Sequence, residues 1–234
     1  MNILSVDTST QILSIALLTE NSYEERLVDG NFSPSENLLN EIEELLGRAG
    51  IEMKDLDLLA VSKGPGSFTG LRIAMASMKG IASALSTPIV SVPTLDAISA
   101  SVGIYPGAIL SVIDAKKKKF YMSMKKNDET IIEDRDGNAE DVIQALKKED
   151  MPILITGPDA LLFSEKIMEI DDSIPIMTDP YAPRNLSKAI ISLGLEKYRT
   201  KGADDIGEGP VYIRRSDAEE ALEKKMKERE RNGV

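Results

Sequence analysis

This chain of 234 residues has neither histidine nor cysteine. Without cysteine there is no disulfide framework and no thiolate nucleophile, a composition that suits a reducing compartment. Without histidine there is no Ser-His-Asp triad, no Cys-His pair and no imidazole ligand for a metal. What remains for catalysis is carboxylate, lysine or hydroxyl chemistry, or a carboxylate-bound magnesium ion. Long apolar runs are missing as well. No stretch approaches the roughly 18 residues of a membrane span, and Met1-Asn2-Ile3-Leu4 puts no charged leader before a hydrophobic run. The expectation is a cytoplasmic protein with no membrane contact. Positive charge is also in short supply, with 28 Lys and Arg against 39 Asp and Glu and a net charge of −11. Long-range attraction to phosphates is therefore weak, and tight RNA binding by the chain alone is not expected.

What is present reads as a soluble globular protein, 42% hydrophobic and 29% charged, long enough for one large domain or two small ones. Its most informative stretch is Lys63-Gly64-Pro65-Gly66-Ser67-Phe68-Thr69-Gly70-Leu71-Arg72. The segment joins a strand-like run, Leu56 to Ser62, to a helix rich in small residues, Leu71 to Leu85. Glycine reaches backbone angles that other residues avoid and proline fixes its own, so the loop reads as one rigid, shaped turn. It is not a P-loop, since no Gly-Lys-Ser/Thr follows, and its glycine spacing is not that of a dinucleotide fingerprint. Two readings stay open on the residues alone: a packing turn, or an anion site at the N-terminus of the helix.

The chain repeats one plan. Ile3-Leu4-Ser5-Val6 followed by Asp7 recurs as Ile109-Leu110-Ser111-Val112 followed, one residue late, by Asp114. Each is followed by a strand-like run, Ile12 to Leu18 and Phe120 to Met124, then a third short strand leading to Asp29-Gly30 and Asp136-Gly137, then a helix. Beyond each unit, strands alternate with helices: Leu56–Ser62 and Ile89–Val92, then Ile153–Thr156 and Ile174–Met177. This predicts an α/β protein with mixed sheets covered by helices. The boundaries expected are 1–103, 104–215 and a charged tail, 216–234, in which Asp217 to Arg231 mixes both signs at helical spacing.

The first helix is well marked. Ser33-Pro34-Ser35-Glu36 has the form of a capping box with proline at the first helical position, Leu38, Leu39, Ile42, Leu45, Leu46 and Ala49 form an apolar stripe, and Gly50 stops it. The second helix is apolar around most of its circumference: Leu71, Met75, Met78, Ala82 and Leu85 on one stripe, Ile73, Ala74, Ile81 and Ala84 beside and behind it. One side can pack on the sheet of its own domain. The other is either internal too or a face for a partner helix. Lys116 to Lys119, with Lys125 and Lys126, form a basic cluster: a solvated strand edge or a phosphate contact.

KGPGSFTGLR (63–72) resembles the signature of the bacterial TsaB (YeaZ) family, whose members help make threonylcarbamoyladenosine in transfer RNA. The resemblance extends to Ile3-Leu4-Ser5-Val6-Asp7-Thr8-Ser9, to Ser35-Glu36 with Leu38-Leu39, to Pro88 through Ala97, and to the closing Pro210-Val211-Tyr212-Ile213-Arg214-Arg215. It is strong over the first hundred residues and looser beyond, apart from Asp114-Ala115 and the closing element. The resemblance implies two actin-like subdomains of the sugar-kinase/actin ATPase superfamily. Proteins of that superfamily grip ATP phosphates with glycine-rich turns after the first strand of each half. The turns here, Asp7-Thr8-Ser9-Thr10 and Asp114-Ala115-Lys116-Lys117, contain no glycine. Related transferases bind metal through two histidines on the first helix, and this chain has neither; Pro34 stands where family members commonly carry a histidine.

The resemblance thus implies a non-catalytic scaffold for threonylcarbamoyl transfer to adenosine in tRNA, with no cofactor of its own and with nucleotide binding at a shared interface left open. Its implied partners are a TsaD-type metal-dependent transferase subunit, a TsaE-type small ATPase subunit, and tRNA reached through the complex, with a homodimer in isolation. The implied partner surface is helix one with helix two, through Leu38, Leu39, Ile42, Leu71, Met75, Met78 and Ala82. The rival is an active actin-like ATPase or small-molecule kinase using Asp7 or Asp114 with magnesium, where the plainer reading is turn-forming aspartates at strand ends. A peptidase reading lacks any nucleophile–base pair in the sequence.

Overall fold

The computed structural model describes residues 1–29, 34–127, 129–181 and 185–214. Two five-stranded mixed sheets carry it, each built on a buried central strand. In the first, β1 (Ile3–Asp7) pairs antiparallel with β2 (Leu13–Leu18), which pairs antiparallel with β3 (Tyr23–Val28). On its other side β1 pairs parallel with β4 (Leu58–Ser62), and β4 with β5 (Ile89–Val92), giving the order β3-β2-β1-β4-β5. The second sheet repeats this order. Strand β6 (Ala108–Lys116) pairs antiparallel with β7 (Lys119–Lys126), which pairs with β8 (Glu129–Gly137). On the parallel side lie β9 (Ile153–Thr156) and β10 (Ile176–Thr178). Ile3–Val6 and Ile109–Val112 therefore occupy equivalent central strands, as the repeated Ile-Leu-Ser-Val implies.

Strands buried on both faces need nearly continuous apolar sequence, and the alternation of side chains assigns each residue to a core. Leu4, Val6, Leu13, Ile15, Leu17, Leu59 and Val61 face α1 (Pro34–Ala49) and α2 (Phe68–Leu85). Their neighbours Ile3, Ala16, Leu58, Ala60, Val90 and Val92 face α3 (Thr94–Val102) and α6 (Ser187–Lys201). One face of the second sheet (Leu110, Val112, Phe120, Met122, Met124, Ile153, Ile155) packs under α4 (Glu140–Leu146) and α5 (Ala160–Ile170). Its other face sends Ile113 and Tyr121 into the cluster that holds α3 and α6. That cluster ties the halves together, since α3 packs on β6 and β7, while α6, late in the chain, returns to the first sheet. Polar contacts fix the return: the Ser5 hydroxyl donates to the Ser187 carbonyl at 3.0 Å, and the Ser187 and Ser14 hydroxyls lie 2.8 Å apart.

After α6 the chain runs as an extended strap, residues 203–214, along the open edge of β5. Asp204 N–H donates to the Ile89 carbonyl at 2.9 Å, and the Asp204 carboxylate accepts from Ser91 N–H at 2.7 Å and from Lys197 Nζ at 2.5 Å. The strap covers a sheet edge that would otherwise present unpaired backbone groups. The α1 capping box rests on Ser33 and on the side chains of 34–36, and the expected tail helix on 217–231. Both lie outside the described residues, as does Arg215.

Candidate functional site

The signature segment is shorter as a loop and longer as a helix than its sequence suggests. Helix α2 begins at Phe68, with Ser67 as its N-cap: the Ser67 hydroxyl accepts from Gly70 N–H at 3.2 Å. Thr69, Gly70, Leu71 and Arg72 are thus already helical, and only 63–67 form the turn. Gly64 lies at φ +104°, in the region that side chains disfavour, and a Cβ there would stand 2.6 Å from the Val211 carbonyl oxygen. Four backbone groups of the loop bond elsewhere in the protein. Lys63 N–H donates to Val92 O at 2.9 Å, Val211 N–H to Lys63 O at 2.7 Å, Thr94 N–H to Gly64 O at 2.9 Å, and Ser67 N–H to Ser9 O at 2.7 Å.

The last of these contacts is with the turn after β1. A Cβ on Gly70 would lie 2.1 Å from the Thr8 carbonyl oxygen, and Gly66 meets Ser9 in the same way at 2.4 Å. Glycine is required because the loop packs backbone to backbone onto Asp7-Thr8-Ser9. That supports the packing-turn reading: the N-terminus of α2 is filled by the protein's own chain.

Asp7 itself is 2% exposed. Burial pushes its carboxyl above the ordinary range, opposed by the nearby Ser62 and Ser9 hydroxyls and by Ser9 N–H, which donates to Oδ1 at 3.0 Å. Neither of those hydroxyls meets hydrogen-bond geometry, and Thr8 Oγ1 and Thr94 Oγ1 are also buried without partners. A sealed carboxyl held by its own turn is a poor magnesium ligand, and no group of three or more acidic side chains among the described residues is placed to hold a metal.

The equivalent turn after β6 is open. Asp114 Oδ1 accepts from Lys116 N–H at 2.7 Å, Asp114 Oδ2 from Lys116 Nζ at 2.9 Å, and Asp114 N–H donates to Asp159 Oδ2 at 2.7 Å. Lys116, Lys117 and Lys118 all have positive φ, at 63°, 54° and 61°, which closes a tight hairpin with four exposed lysines at its tip. Lys125 and Lys126 lie at the far end of β7, where Lys125 pairs with Asp96 of α3 at 2.5 Å. The sequence places these six lysines together; the strand separates them.

The strap joins the two turns. The Tyr212 ring stacks on Phe68 with centroids 4.8 Å apart and 17° between planes, and its hydroxyl accepts from Arg72 Nε at 2.8 Å. Two residues on, Arg214 Nη1 donates to the Ala115 carbonyl at 3.5 Å. Lys79 Nζ also bonds the Glu208 carbonyl, holding the strap against α2.

The side chains proposed from sequence as the partner surface are mostly internal. Leu38, Ile42, Met75, Met78 and Ala82 lie in the core cluster beneath α1 and α2, Leu71 is fully buried as well, and of the seven only Leu39 is exposed, at 48%. Met75, Met78 and Ile81 of α2 are used against its own sheet and α1, so a charge placed at Met78 would report on the core rather than on an interface. Facing outward are Arg72, Ala76, Gly80, Ser83 and Ala84 on α2, beside Leu39, Glu43 and Gly47 on α1. Ala76, Gly80 and Ala84 recur at four-residue spacing. That signal was available in sequence, but small side chains weigh little in an apolar count.

This geometry defines an actin-like, sugar-kinase-type fold in which the turn after the first strand is filled by a glycine loop. Comparison with known proteins agrees. Residues 33–173 match the family model of TsaD, tRNA N6-adenosine threonylcarbamoyltransferase. The Bacillus subtilis tRNA threonylcarbamoyladenosine biosynthesis protein TsaB is 30% identical over 224 residues, 94% of this chain and 96% of that protein. A Pseudomonas aeruginosa structure described as similar to peptidase YeaZ superposes with a TM-score of 0.77 at 23% identity, over 91% of this chain and 99% of that one. The polyphosphate/ATP-glucomannokinase of Arthrobacter sp. strain KM gives 0.50 at 9% identity, over 83% of this chain and 99% of that one, a likeness of fold alone. The chain belongs to the TsaB (YeaZ) family, within the wider set of sequences that the TsaD model describes.

Proposed function

We propose that this chain acts in the biosynthesis of threonylcarbamoyladenosine in tRNA as a non-catalytic subunit that positions a TsaD-type transferase, in an assembly that also takes in a TsaE-type small ATPase and, through the complex, tRNA. The family relationship supports the pathway. The observation that carries the scaffold role is the filled turn: Gly66 and Gly70 press the signature loop onto Ser9 and Thr8, in the place where related folds admit nucleotide phosphates. The absence of histidine removes the metal ligands that the related transferases place on the first helix.

The partner surface in this reading is the outward face of α1 and α2, corrected from the buried stripe to Leu39, Gly47, Ala76, Gly80 and Ala84. Small residues let a second helix pair approach closely, and the same face serves a second copy of the chain when the transferase is absent. Ala76→Arg with Gly80→Arg tests this. Both positions are exposed, and a Cβ on Gly80 meets nothing within 4 Å, so the monomer is expected to keep its circular dichroism and melting temperature. Homodimer and transferase complex are both expected to weaken at least a hundredfold, about 2.7 kcal/mol, read by analytical ultracentrifugation and calorimetry. Unchanged association removes this surface from the reading. Micromolar Mg-ATP binding with turnover by the isolated wild-type chain removes the scaffold role itself.

A further inference from the structure

Large apolar side chains exposed on helices gather on one helix. Among the described residues they are Leu39 on α1, Leu85 on α2, and Leu161, Leu162, Met168 and Ile170 on α5. The inner face of α5 is fully used, with Ala160, Phe163 and Ile167 buried on the second sheet. Its outer face runs through Leu161, Leu162, Glu165, Met168 and Glu169, all exposed, at offsets that share one side of a helix. A single exposed leucine is ordinary, but three large apolar residues on one stripe of an 11-residue helix call for a cover. Two carboxylates, Glu165 and Glu169, sit among them, with Lys166 at the flank. Asp172 is exposed just beyond the helix, where Asp171 pairs with Lys147.

The chain's own end lies beside this face. The strap reaches Arg214, whose guanidinium donates to the Ala115 carbonyl at 3.5 Å. The neighbouring Asp114 N–H donates at 2.7 Å to the carboxylate of Asp159, the residue before α5. Residues 215–234 therefore set out from the N-terminal end of α5. In their sequence, Ser216-Asp217-Ala218-Glu219 has the form of a capping box, and Ala218, Ala221, Leu222 and Met226 follow at offsets of one helical face. Lys225 and Arg229 fall on that same face. A helix over 216–231 would extend about 24 Å, against about 16 Å for α5. Laid parallel to α5 from its first turn, it would put its acidic start at the helix end that favours negative charge and bring Lys225 and Arg229 to Glu165, Glu169 and Asp172. The opposite direction would set Glu219 and Glu220 against those same carboxylates.

We propose that residues 216–231 form a helix that docks, within the same chain, on the outer face of α5, burying Leu222 and Met226 against Leu161, Leu162 and Met168. Only Arg215 separates the segment from the strap, so closing it onto α5 costs little chain entropy. The strap, held by Tyr212 on Phe68 and by Arg214 on Ala115, then continues without a break from the edge of the first sheet to the outside of the second half. This face is separate from the partner surface on α1 and α2, and the docking holds whether or not that surface does.

Hydrogen exchange of the full chain, read by mass spectrometry, tests this. A segment of this length is at best a marginal helix alone in water, so slow exchange over 217–231 reports docking. Wild-type amides there are expected to be protected at least about tenfold relative to an unstructured peptide, and equally so across about a hundredfold range of protein concentration. Leu161→Ser/Met168→Ser is expected to abolish that protection and leave the amides of β6 unchanged, since both side chains face outward. Glu165→Lys/Glu169→Lys is expected to weaken it, and adding Lys225→Glu/Arg229→Glu to restore it, a rescue that a helix standing alone would not show. An unprotected wild-type segment overturns the proposal, as does protection that survives Leu161→Ser/Met168→Ser. Protection that rises with concentration overturns it in favour of a second copy of the chain. Where the serine variant also loses protection in β6, the charge exchange decides, and failure to restore protection overturns the docking.

Discussion

The turns after β1 and β6 start from the same sequence, Ile-Leu-Ser-Val, and end in opposite states. In the first half the loop after β4 reaches beyond the strand end: Gly70 and Gly66 lie against the carbonyls of Thr8 and Ser9, which follow Asp7. In the second half the corresponding glycine after β9, Gly157 at φ +115°, stops two residues short of Asp114, its Cβ position 2.1 Å from the Val112 carbonyl. A few residues of reach decide the outcome. Asp7 is sealed, with burial raising its carboxyl's pKa, whereas Asp114 stays at the surface on Lys116 and Asp159. A duplicated fold can keep its strand order in both halves while one loop runs on to fill a turn that its counterpart leaves open. The half that kept an open turn then carries its exposed charge.

The largest test of this comparison is Gly70→Ala. The methyl group meets backbone oxygen at 2.1 Å, and neither Thr8 nor the first turn of α2 can yield without breaking the contact between loop and turn. The expected loss is about 3 kcal/mol or more, in the range of strained or overpacked core sites, measured by urea denaturation. A loss below about 1 kcal/mol means that the first turn is not sealed, and the contrast with the second turn fails.

Much of this was legible in the residues, and the limits have physical causes. The repeated Ile-Leu-Ser-Val with a following Asp gives both central strands, and β5 and β9 match their expected runs because short, doubly buried strands are continuous apolar sequence bounded by turn residues. Ile174–Met177 shifts to Ile176–Thr178: Ile174 is buried, but as a core residue ahead of the strand rather than within it. The facing of α2 was not legible. An apolar stripe shows that a helix buries something, but not whether the cover is its own sheet or another molecule, and here the sheet and α1 take it. Nor does sequence show that three lysines sit at positive φ, because that depends on the register of β6 with β7, including the irregularity between Asp114 and Lys116.

A middle-sized effect is expected at Tyr212, through which the strap reaches from the sealed turn toward the open one. Tyr212→Ala removes the stacking on Phe68 and the bond from Arg72 Nε, an expected loss of about 1–2 kcal/mol. Hydrogen exchange locates it. The Val211 amide, bonded to Lys63 O at 2.7 Å, is expected to lose protection, while the Asp204 amide, bonded to Ile89 O, keeps its own. Equal loss at both amides means that the strap opens as one piece from β5 and does not couple the turns through its end.

The smallest effect, and the sharpest in sign, is at Asp7. Burial raises its folded-state pKa above the ordinary carboxylate value of 3.8, so between those two values the folded protein holds a proton that the unfolded chain has released. Stability therefore falls as pH rises through that window, and at neutral pH the full cost of a buried charge is present. Asn in its place keeps an oxygen to accept from Ser9 N–H, adds an NH2 facing the Ser62 and Ser9 hydroxyls, and carries no charge. Asp7→Asn is expected to melt above the wild type at pH 7, and the gap is expected to narrow as pH falls through the raised folded-state pKa, below which the wild-type carboxyl is protonated in the folded state. The other carboxylates titrate alike in both proteins and cancel. A wild type that is the more stable protein at pH 7 would mean that the Asp7 charge is held by an interaction the sealed turn does not contain, and the first turn would again have to be treated as a ligand site.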